Sequence, residues 1–174
     1  MGGVKIKRRI GIAKSTFKNM ERVLTTRTIN LNTRLRLLRC YVWSTLLYGS
    51  ECWTLNKTMQ QRLEAVEMWF LRRMMKISWT DHVSNVDVLE KAKSSRSLLR
   101  TIATRQIRFL GHTLRKNALE TVALTGAIEG RRARGRQRLT FLSWLSDATG
   151  MQSIDIIRRC QERGENILMS NVRF

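Results

Sequence analysis

The sequence predicts an all-α protein of several packed helices without a sizeable sheet, and three observations support this. None of the 174 residues is proline, which interrupts a helix when it lies inside one. Apolar residues recur at steps of three and four along most of the chain, as they do on one face of a helix. Apolar residues also make up 43% of the composition, which is enough for a packed core and too much for a disordered basic tail.

The first predicted helix covers residues 4–26, and its apolar residues share one face. The same segment carries a basic stripe of Lys14, Lys18 and Arg22. This stripe is either a solvated helix face or a contact to backbone phosphates. The apolar face consists of Ile6, Ile10, Ala13, Phe17, Met20 and Leu24.

A second helix follows a break at residues 25–30. Asn30 or Asn32 is its predicted N-cap, because a short amide side chain can accept a hydrogen bond from the first free backbone N–H groups. Gly49 is expected to end this helix. Its apolar face consists of Leu31, Leu35, Leu38, Val42 and Leu46.

The rest of the chain continues the helical pattern. Residues 47–55 are predicted to form a corner, and Thr58 with Gln61 a capping box that opens the third helix. Residues 78–84 are predicted to form a loop. Later helices are expected at residues 85–91, 96–116 (with Gly111 inside), 139–148 and 153–163.

Five tryptophans divide into two groups. Trp43, Trp69 and Trp144 fall within or beside apolar helix faces, which favours a role in the core. Trp53 and Trp79 fall in predicted loops, where each is a candidate for a corner lock or for a contact.

The charge predicts a polyanionic partner. Lys and Arg total 33 against 13 Asp and Glu, a net charge of +20, so nucleic acid is the expected partner. No apolar run approaches the ~18 residues of a membrane span, and no membrane or small-molecule partner is predicted. Three widely spaced cysteines indicate a reducing compartment, and hence an intracellular protein in the nucleus or cytoplasm. The basic first twenty residues also fit a mitochondrial transit peptide, which leaves that alternative open.

Nucleic-acid contacts are predicted in two clusters. Guanidinium groups bind phosphates bidentately, and glycines at positions 130 and 135 allow the second cluster to approach a backbone closely. A charged loop that only keeps the protein in solution is the alternative for the second cluster. The first cluster comprises Lys5, Lys7, Arg8, Arg9, Lys14, Lys18 and Arg22, and the second comprises Arg131, Arg132, Arg134, Arg136 and Arg138.

No catalytic residue, metal site or cofactor is predicted. Metal-dependent nucleotidyl transfer needs at least two carboxylates in one site, and the four aspartates are scattered between positions 81 and 155. His82 and His112 stand 30 residues apart without the spacing of a zinc site. The sequence therefore predicts a binding protein and not an enzyme.

Four ordered stretches carry a resemblance to a known family. They are residues 6–10 (IKRRI), 47–55 (LYGSECWTL), 77–81 (ISWTD) and 129–136 (EGRRARGR), with FLGH at 109–112 between the last two. In this order they resemble the carboxy-terminal region, thumb and post-thumb, of the endonuclease-reverse transcriptase of RTE-type non-LTR retrotransposons, which are LINE elements. The resemblance covers nearly the whole chain.

The resemblance implies a non-catalytic fragment of an RNA-directed DNA polymerase. Residues 1–58 would form a helical thumb-like segment that grips the template-primer backbone. Residues 59–127 would form a helical post-thumb domain, and residues 128–174 an arginine-rich loop followed by helices. The partners implied are RNA, DNA or their hybrid, together with a palm domain that is missing here.

Two departures from the family pattern matter. Relatives commonly have proline where Gln137 stands and an aromatic residue near Asn166, so a degraded tail is expected beyond about Gly164. The alternative to a working fragment is a truncated retroelement relic without a cellular function, which would bind polyanions non-specifically.

Overall fold

The computed structural model describes residues 2–116, 119–125 and 141–173. These residues form helices joined by short turns and contain no β-strand, so the predicted all-α fold is confirmed. Among them, no helix combines the length and the apolar character that crossing a membrane requires. The α-helices are α1 (Gly2–Asn19), α2 (Glu21–Leu24), α3 (Leu31–Leu37), α4 (Ser44–Leu46), α5 (Lys57–Met75), α6 (Asn85–Ala92), α7 (Leu98–Leu114), α8 (Leu119–Thr125), α9 (Phe141–Thr149), α10 (Ser153–Gln161) and α11 (Glu165–Ser170).

The chain groups into two compact units. The first unit comprises Met1–Gly49 and Lys57–Leu99, and the second comprises Ser50–Asn56 and Arg100–Phe174. Helix α7 begins in the first unit and continues into the second. The division into segments 1–58, 59–127 and 128–174 stays a prediction.

Helix α1 packs its apolar face against α4, α5 and the π-helical turn Leu38–Trp43 that joins α3 to α4. Ile6, Ala13 and Phe17 are buried in this contact, which confirms the predicted core face. The single helix expected over residues 4–26 is wrong in one respect. The backbone leaves helical geometry at Met20, and the last part of that segment is the separate short helix α2.

The second predicted helix begins where the amide pattern indicated. The Asn30 side chain accepts a hydrogen bond from the backbone N–H of Asn32 at 3.1 Å, so Asn30 is the N-cap. Gly49 lies just beyond α4 with a φ of 70°, a left-handed conformation that glycine adopts without the cost of a Cβ clash. The expected start of this segment is therefore confirmed, whereas its last helix ends at Leu46, three residues before Gly49.

Arg34 is a buried cation of the first unit, and its guanidinium donates to three backbone carbonyls. Nη1 donates to Leu24 O at 3.3 Å and to Met74 O at 3.0 Å, and Nε donates to Ile29 O at 3.1 Å. Leu24 ends α2 and Met74 lies at the end of α5, where helix carbonyls lack partners and carry partial negative charge. Arg34 therefore holds the ends of two helices together.

Helix α5 begins at Lys57, so Thr58 lies inside its first turn and the predicted capping box is wrong.

Further along α5, Glu67 is buried and caps the start of α7. Its Oε1 accepts from the N–H of Ser97 at 2.9 Å and of Leu98 at 3.2 Å. Burial raises the pKa of Glu67 above its ordinary value, although these hydrogen bonds act in the opposite direction.

Gln106 of α7 is the buried polar centre of the second unit. Its Nε2 donates to Ser50 O at 2.7 Å and to Trp53 O at 2.8 Å, while its Oε1 accepts from Trp144 Nε1 at 2.6 Å. The amide thus connects α7 to the corner and to α9. Trp53 is buried at that corner, which favours a corner lock over an exposed contact.

Gly111 lies inside α7 without interrupting it. A Cβ at this position would overlap the side chain of Glu165, which begins α11. Glu165 forms an ion pair with Arg115, the residue that directly follows α7. The glycine therefore provides the space that this ion pair occupies.

The expected degraded tail beyond Gly164 is not what the structure shows. Helix α11 lies there, and Leu168 and Val172 are buried. The backbone N–H of Arg173 donates to Ala148 O at 3.0 Å. The tail contributes the apolar side chains of Leu168 and Val172 to the core of the second unit.

Candidate nucleic-acid interface

The exposed side of α1 carries three lysines on one helix face. Lys7, Lys14 and Lys18 are spaced by seven and four residues, close to two turns and one turn of an α-helix. All three are exposed, on a face that lies about 100° around the helix axis from the buried residues Ile6, Ala13 and Phe17. The sequence of α1 contains no Asp or Glu, so no carboxylate within the helix neutralises this face. We call these three residues the lysine face.

Lys14 of the lysine face is oriented by an aromatic ring. Its Nζ lies 4.9 Å from the centroid of Trp69 on α5, and Arg73 Cζ lies 5.6 Å from the same ring. Exposed cation–π contacts contribute about 0.5–1 kcal/mol each, which favours an orientation without fixing the ammonium permanently. Arg73 also pairs with Glu21 at 3.4 Å, so its charge is partly compensated. The contact with Trp69 thus orients the Lys14 side chain, while its exposed ammonium group stays available to a ligand.

Trp69 is half-buried and reaches the core through its other contacts. Its ring meets Phe17 and Phe70 edge-on, at centroid distances of 5.6 and 5.2 Å. Trp69 therefore packs against core aromatic rings, as predicted, and also contacts the two cations Lys14 and Arg73. Trp43 and Trp144 are buried, as predicted.

The remaining cations of the first predicted cluster lie away from the lysine face. Arg9 stacks on the exposed Tyr48 ring, with Cζ 4.3 Å from its centroid. Lys5 and Arg8 are exposed on the same helix, but they are turned about 160° and about 100° around the helix axis from Lys7. Arg22 is exposed on α2, after the break at Met20, and does not continue the α1 stripe as one helix. The structure therefore brings together only part of the cluster.

Arg131, Arg132, Arg134, Arg136 and Arg138 lie outside the described residues. Their predicted role in binding stays a prediction. The charge of the first unit does not depend on them, because it has nineteen Lys and Arg against six Asp and Glu, a net charge of +13.

The ion pairs of the described chain leave the lysine face untouched. Within residues 2–116, 119–125 and 141–173, none of the ion pairs shorter than 4.0 Å includes a cation of α1. In the same part of the chain, no group of three or more His, Cys, Asp or Glu side chains is placed to hold a metal ion.

Sequence reasoning did not identify the structural cations and acids. Arg34 looks like any other basic residue of the chain, yet it is buried on three carbonyls. The two capping boxes at Ser78–Asp81 and Ser84–Asp87 have the spacing Ser-x-x-Asp, a signal that was present in the sequence. They fix the turn around Trp79 and the start of α6.

Comparisons with protein-family models, with curated proteins and with solved structures found no match.

Proposed function

We propose that this chain binds the sugar-phosphate backbone of nucleic acid through the lysine face of α1. The observation that carries the proposal is an exposed row of three lysines on a helix that contains no acidic residue. Backbone binding of this kind is electrostatic and carries little sequence preference. Binding, not catalysis, is the activity proposed.

The dimensions of the lysine face suit a phosphate backbone. At a rise of 1.5 Å per residue, Lys7 and Lys18 are separated by about 16 Å along the helix axis. One strand of a duplex presents a phosphate every 3.4 Å along its axis, so about five phosphates fall within that span. Three ammonium groups can therefore meet phosphates of one strand without bending the helix.

The surrounding charge supports the same role. The first unit has a net charge of +13, and this field attracts a polyanion before any specific contact forms. Arg9 on Tyr48 and the exposed Lys5 and Arg8 extend the positive surface of α1 beyond the lysine face. We expect these residues to assist encounter more than to fix the bound position.

The finer proposal follows from the resemblance to the thumb and post-thumb region of LINE-type reverse transcriptases. We propose that the preferred ligand is a recessed RNA-DNA primer-template, gripped through its backbone, and that the protein works in the nucleus or cytoplasm. The measurement is the affinity for this primer-template against single-stranded RNA and blunt DNA duplex. A preference that persists at about 150 mM salt supports the finer proposal, and equal affinities that fall together with salt contradict it.

A salt titration of binding tests the lysine face itself. Each lysine that contacts a phosphate contributes about 0.9 to the slope of log affinity against log salt. Changing Lys7, Lys14 and Lys18 to Gln is expected to reduce the slope by about 2 to 3 and to weaken binding to all sequences alike. An unchanged slope in this variant would contradict the role of α1.

The matched control removes the same charge elsewhere in the first unit. Lys57, Lys91 and Lys93 are exposed, and they lie on or beside α5 and α6. Changing them to Gln is expected to reduce the slope by less than about 1. Equal losses in both triple variants would show that only net charge matters, as for a relic that binds any polyanion.

The arginine cluster is tested separately. Changing Arg131, Arg132, Arg134, Arg136 and Arg138 to Ala is expected to weaken binding across all sequences and to flatten the salt dependence further. Unchanged affinity and an unchanged slope would show that the arginine cluster does not take part in binding, and α1 would remain the proposed binding element.

A further inference from the structure

The turn between α5 and α6 exposes a large aromatic ring on a fixed backbone. The side chain of Trp79 is 86% exposed, the highest value among the large apolar residues of the described chain. Its turn is a capping box, in which Ser78 N–H donates to Asp81 Oδ2 at 2.8 Å and Thr80 N–H donates to Ser78 Oγ at 3.4 Å. Burying an indole is favourable, so a ligand that covered this ring would gain free energy from the contact.

Trp79 borders a cavity of the first unit that is open to solvent. The cavity has a volume of about 320 Å³, at the lower end of the range of about 300–1,000 Å³ for small-ligand pockets. A space of this size suits one nucleotide better than a larger ligand. Its lining residues are Arg72, Trp79, His82, Val83 and Asn85.

Two polar side chains that line the cavity, Arg72 and Asn85, are joined by a hydrogen bond. Arg72 Nη2 donates to Val83 O at 2.7 Å and to Asn85 Oδ1 at 2.9 Å. Because Oδ1 accepts from Arg72, a ligand would meet the Nδ2 donors of Asn85. The guanidinium itself adds a positive charge beside the indole, where a phosphate of the same nucleotide could bind.

The nearby carboxylates are engaged within the backbone turns. Asp81 accepts from Ser78 N–H, and Asp87 accepts from the N–H and the hydroxyl of Ser84 at 3.1 and 2.8 Å. The hydrogen bond from the Ser84 side chain lowers the pKa of Asp87, which stays ionised to cap α6. The carboxylates of Asp81 and Asp87 thus accept hydrogen bonds within their own turns and are not needed to bind a base.

We infer that this cavity takes an unpaired base of a single-stranded nucleic acid, stacked on Trp79. Aromatic side chains stack on any base because every base has a π-face, and Arg and amide groups add polar contacts at its edge. The net charge of +13 in the same unit favours a base that belongs to a strand over a free nucleotide. The assignment rests on the proposed function, because the lysine face and its surroundings hold the phosphates of that strand.

The test compares a short oligothymidylate with an abasic strand of the same length, which has the same phosphates and no bases. Binding of each strand to the full chain is measured by fluorescence anisotropy at about 150 mM salt. The wild-type chain is expected to bind the oligothymidylate about tenfold more tightly than the abasic strand. Trp79→Ala is expected to reduce this ratio to about one, while binding of the abasic strand stays unchanged.

Two further variants separate stacking from general effects. Trp79→Phe keeps a stacking ring and is expected to retain most of the ratio. Tyr41→Ala removes another exposed ring of the first unit, one that is 54% exposed, and is expected to leave the ratio unchanged. Because both positions are exposed, none of these variants should prevent folding.

The outcomes distinguish this inference from the proposed function. Equal wild-type affinities for both strands, or a ratio that survives Trp79→Ala, would overturn the base pocket and leave backbone binding intact. Failure of both strands to bind would overturn the proposed function as well. If thymidine monophosphate competes as well as the oligothymidylate at equal nucleotide concentration, the ligand is a free nucleotide and the assignment to a strand is wrong.

Discussion

The buried Arg34 offers a quantitative test of the packing described for the first unit. The change is Arg34→Met, which keeps a long side chain but removes the three hydrogen bonds to Leu24 O, Ile29 O and Met74 O. Hydrogen bonds from a charged donor contribute about 1.5–3 kcal/mol each, and the desolvation of the guanidinium offsets part of their sum. We expect the free energy of unfolding to fall by about 3–4 kcal/mol, a large share of a typical total of about 5–15 kcal/mol.

The assay is urea denaturation followed by far-UV circular dichroism, with the m-value checked for constancy. Arg34→Lys keeps a charge near the carbonyl ends of α2 and α5, so it should lose about half as much stability as Arg34→Met. The control is Arg36→Met on the exposed side of α3, with an expected change within about 0.5 kcal/mol. Equal stability of the Arg34→Met and Arg36→Met variants would refute the reasoning. Binding should keep its salt slope in Arg34→Met and Arg34→Lys, because Arg34 is buried and does not face a ligand.

Three other predictions concern buried polar groups. Gln106→Leu removes the hydrogen bonds to Ser50, Trp53 and Trp144. Urea denaturation should show a free energy of unfolding lower by about 3 kcal/mol. A change below about 1 kcal/mol would contradict the structural role of this amide. For Glu67, burial raises the folded-state pKa above the ordinary 4.5, so the folded state binds the proton more tightly than the unfolded state does. The stability of the wild type relative to Glu67→Gln should therefore decrease as the pH rises from about 4.5 through the folded-state pKa. An increase over this pH range, measured by urea titrations, would mean that folding lowers the pKa of Glu67 and would contradict the account. Burial raises the pKa of the Cys160 thiol to about 12, so a thiol reagent should modify only the two exposed cysteines in the native chain, and rapid modification of Cys160 would show that α10 opens.

The helix faces were predictable because apolar spacing alone determines which side of a helix is buried. Ile6, Ala13 and Phe17 show this for α1, since each lies where steps of three and four place it. The N-cap at Asn30 and the left-handed Gly49 followed from local chemistry, which needs no knowledge of the tertiary structure.

The buried polar residues were not predictable, because their burial depends on segments far apart in the chain. Glu67 and Gln106 occupy helix positions where either could equally be a solvated side chain. The break at Met20 also lies within an uninterrupted apolar pattern, so spacing could not reveal it. For Trp79 the sequence indicated a loop, but the cavity beside it requires Arg72 from α5 to lie next to the loop.

The most direct test of backbone binding by α1 is lysine acetylation of the intact chain with and without a bound nucleic acid, read by mass spectrometry. It needs no substitution, so no variant has to fold, and a low reagent dose that modifies at most one lysine per chain keeps the change in net charge small. Binding through the lysine face predicts that Lys7, Lys14 and Lys18 are acetylated more slowly in the complex, while Lys57, Lys91 and Lys93 keep their rates. Uniform slowing of all six lysines, or protection of the second set alone, would contradict the assignment of binding to α1.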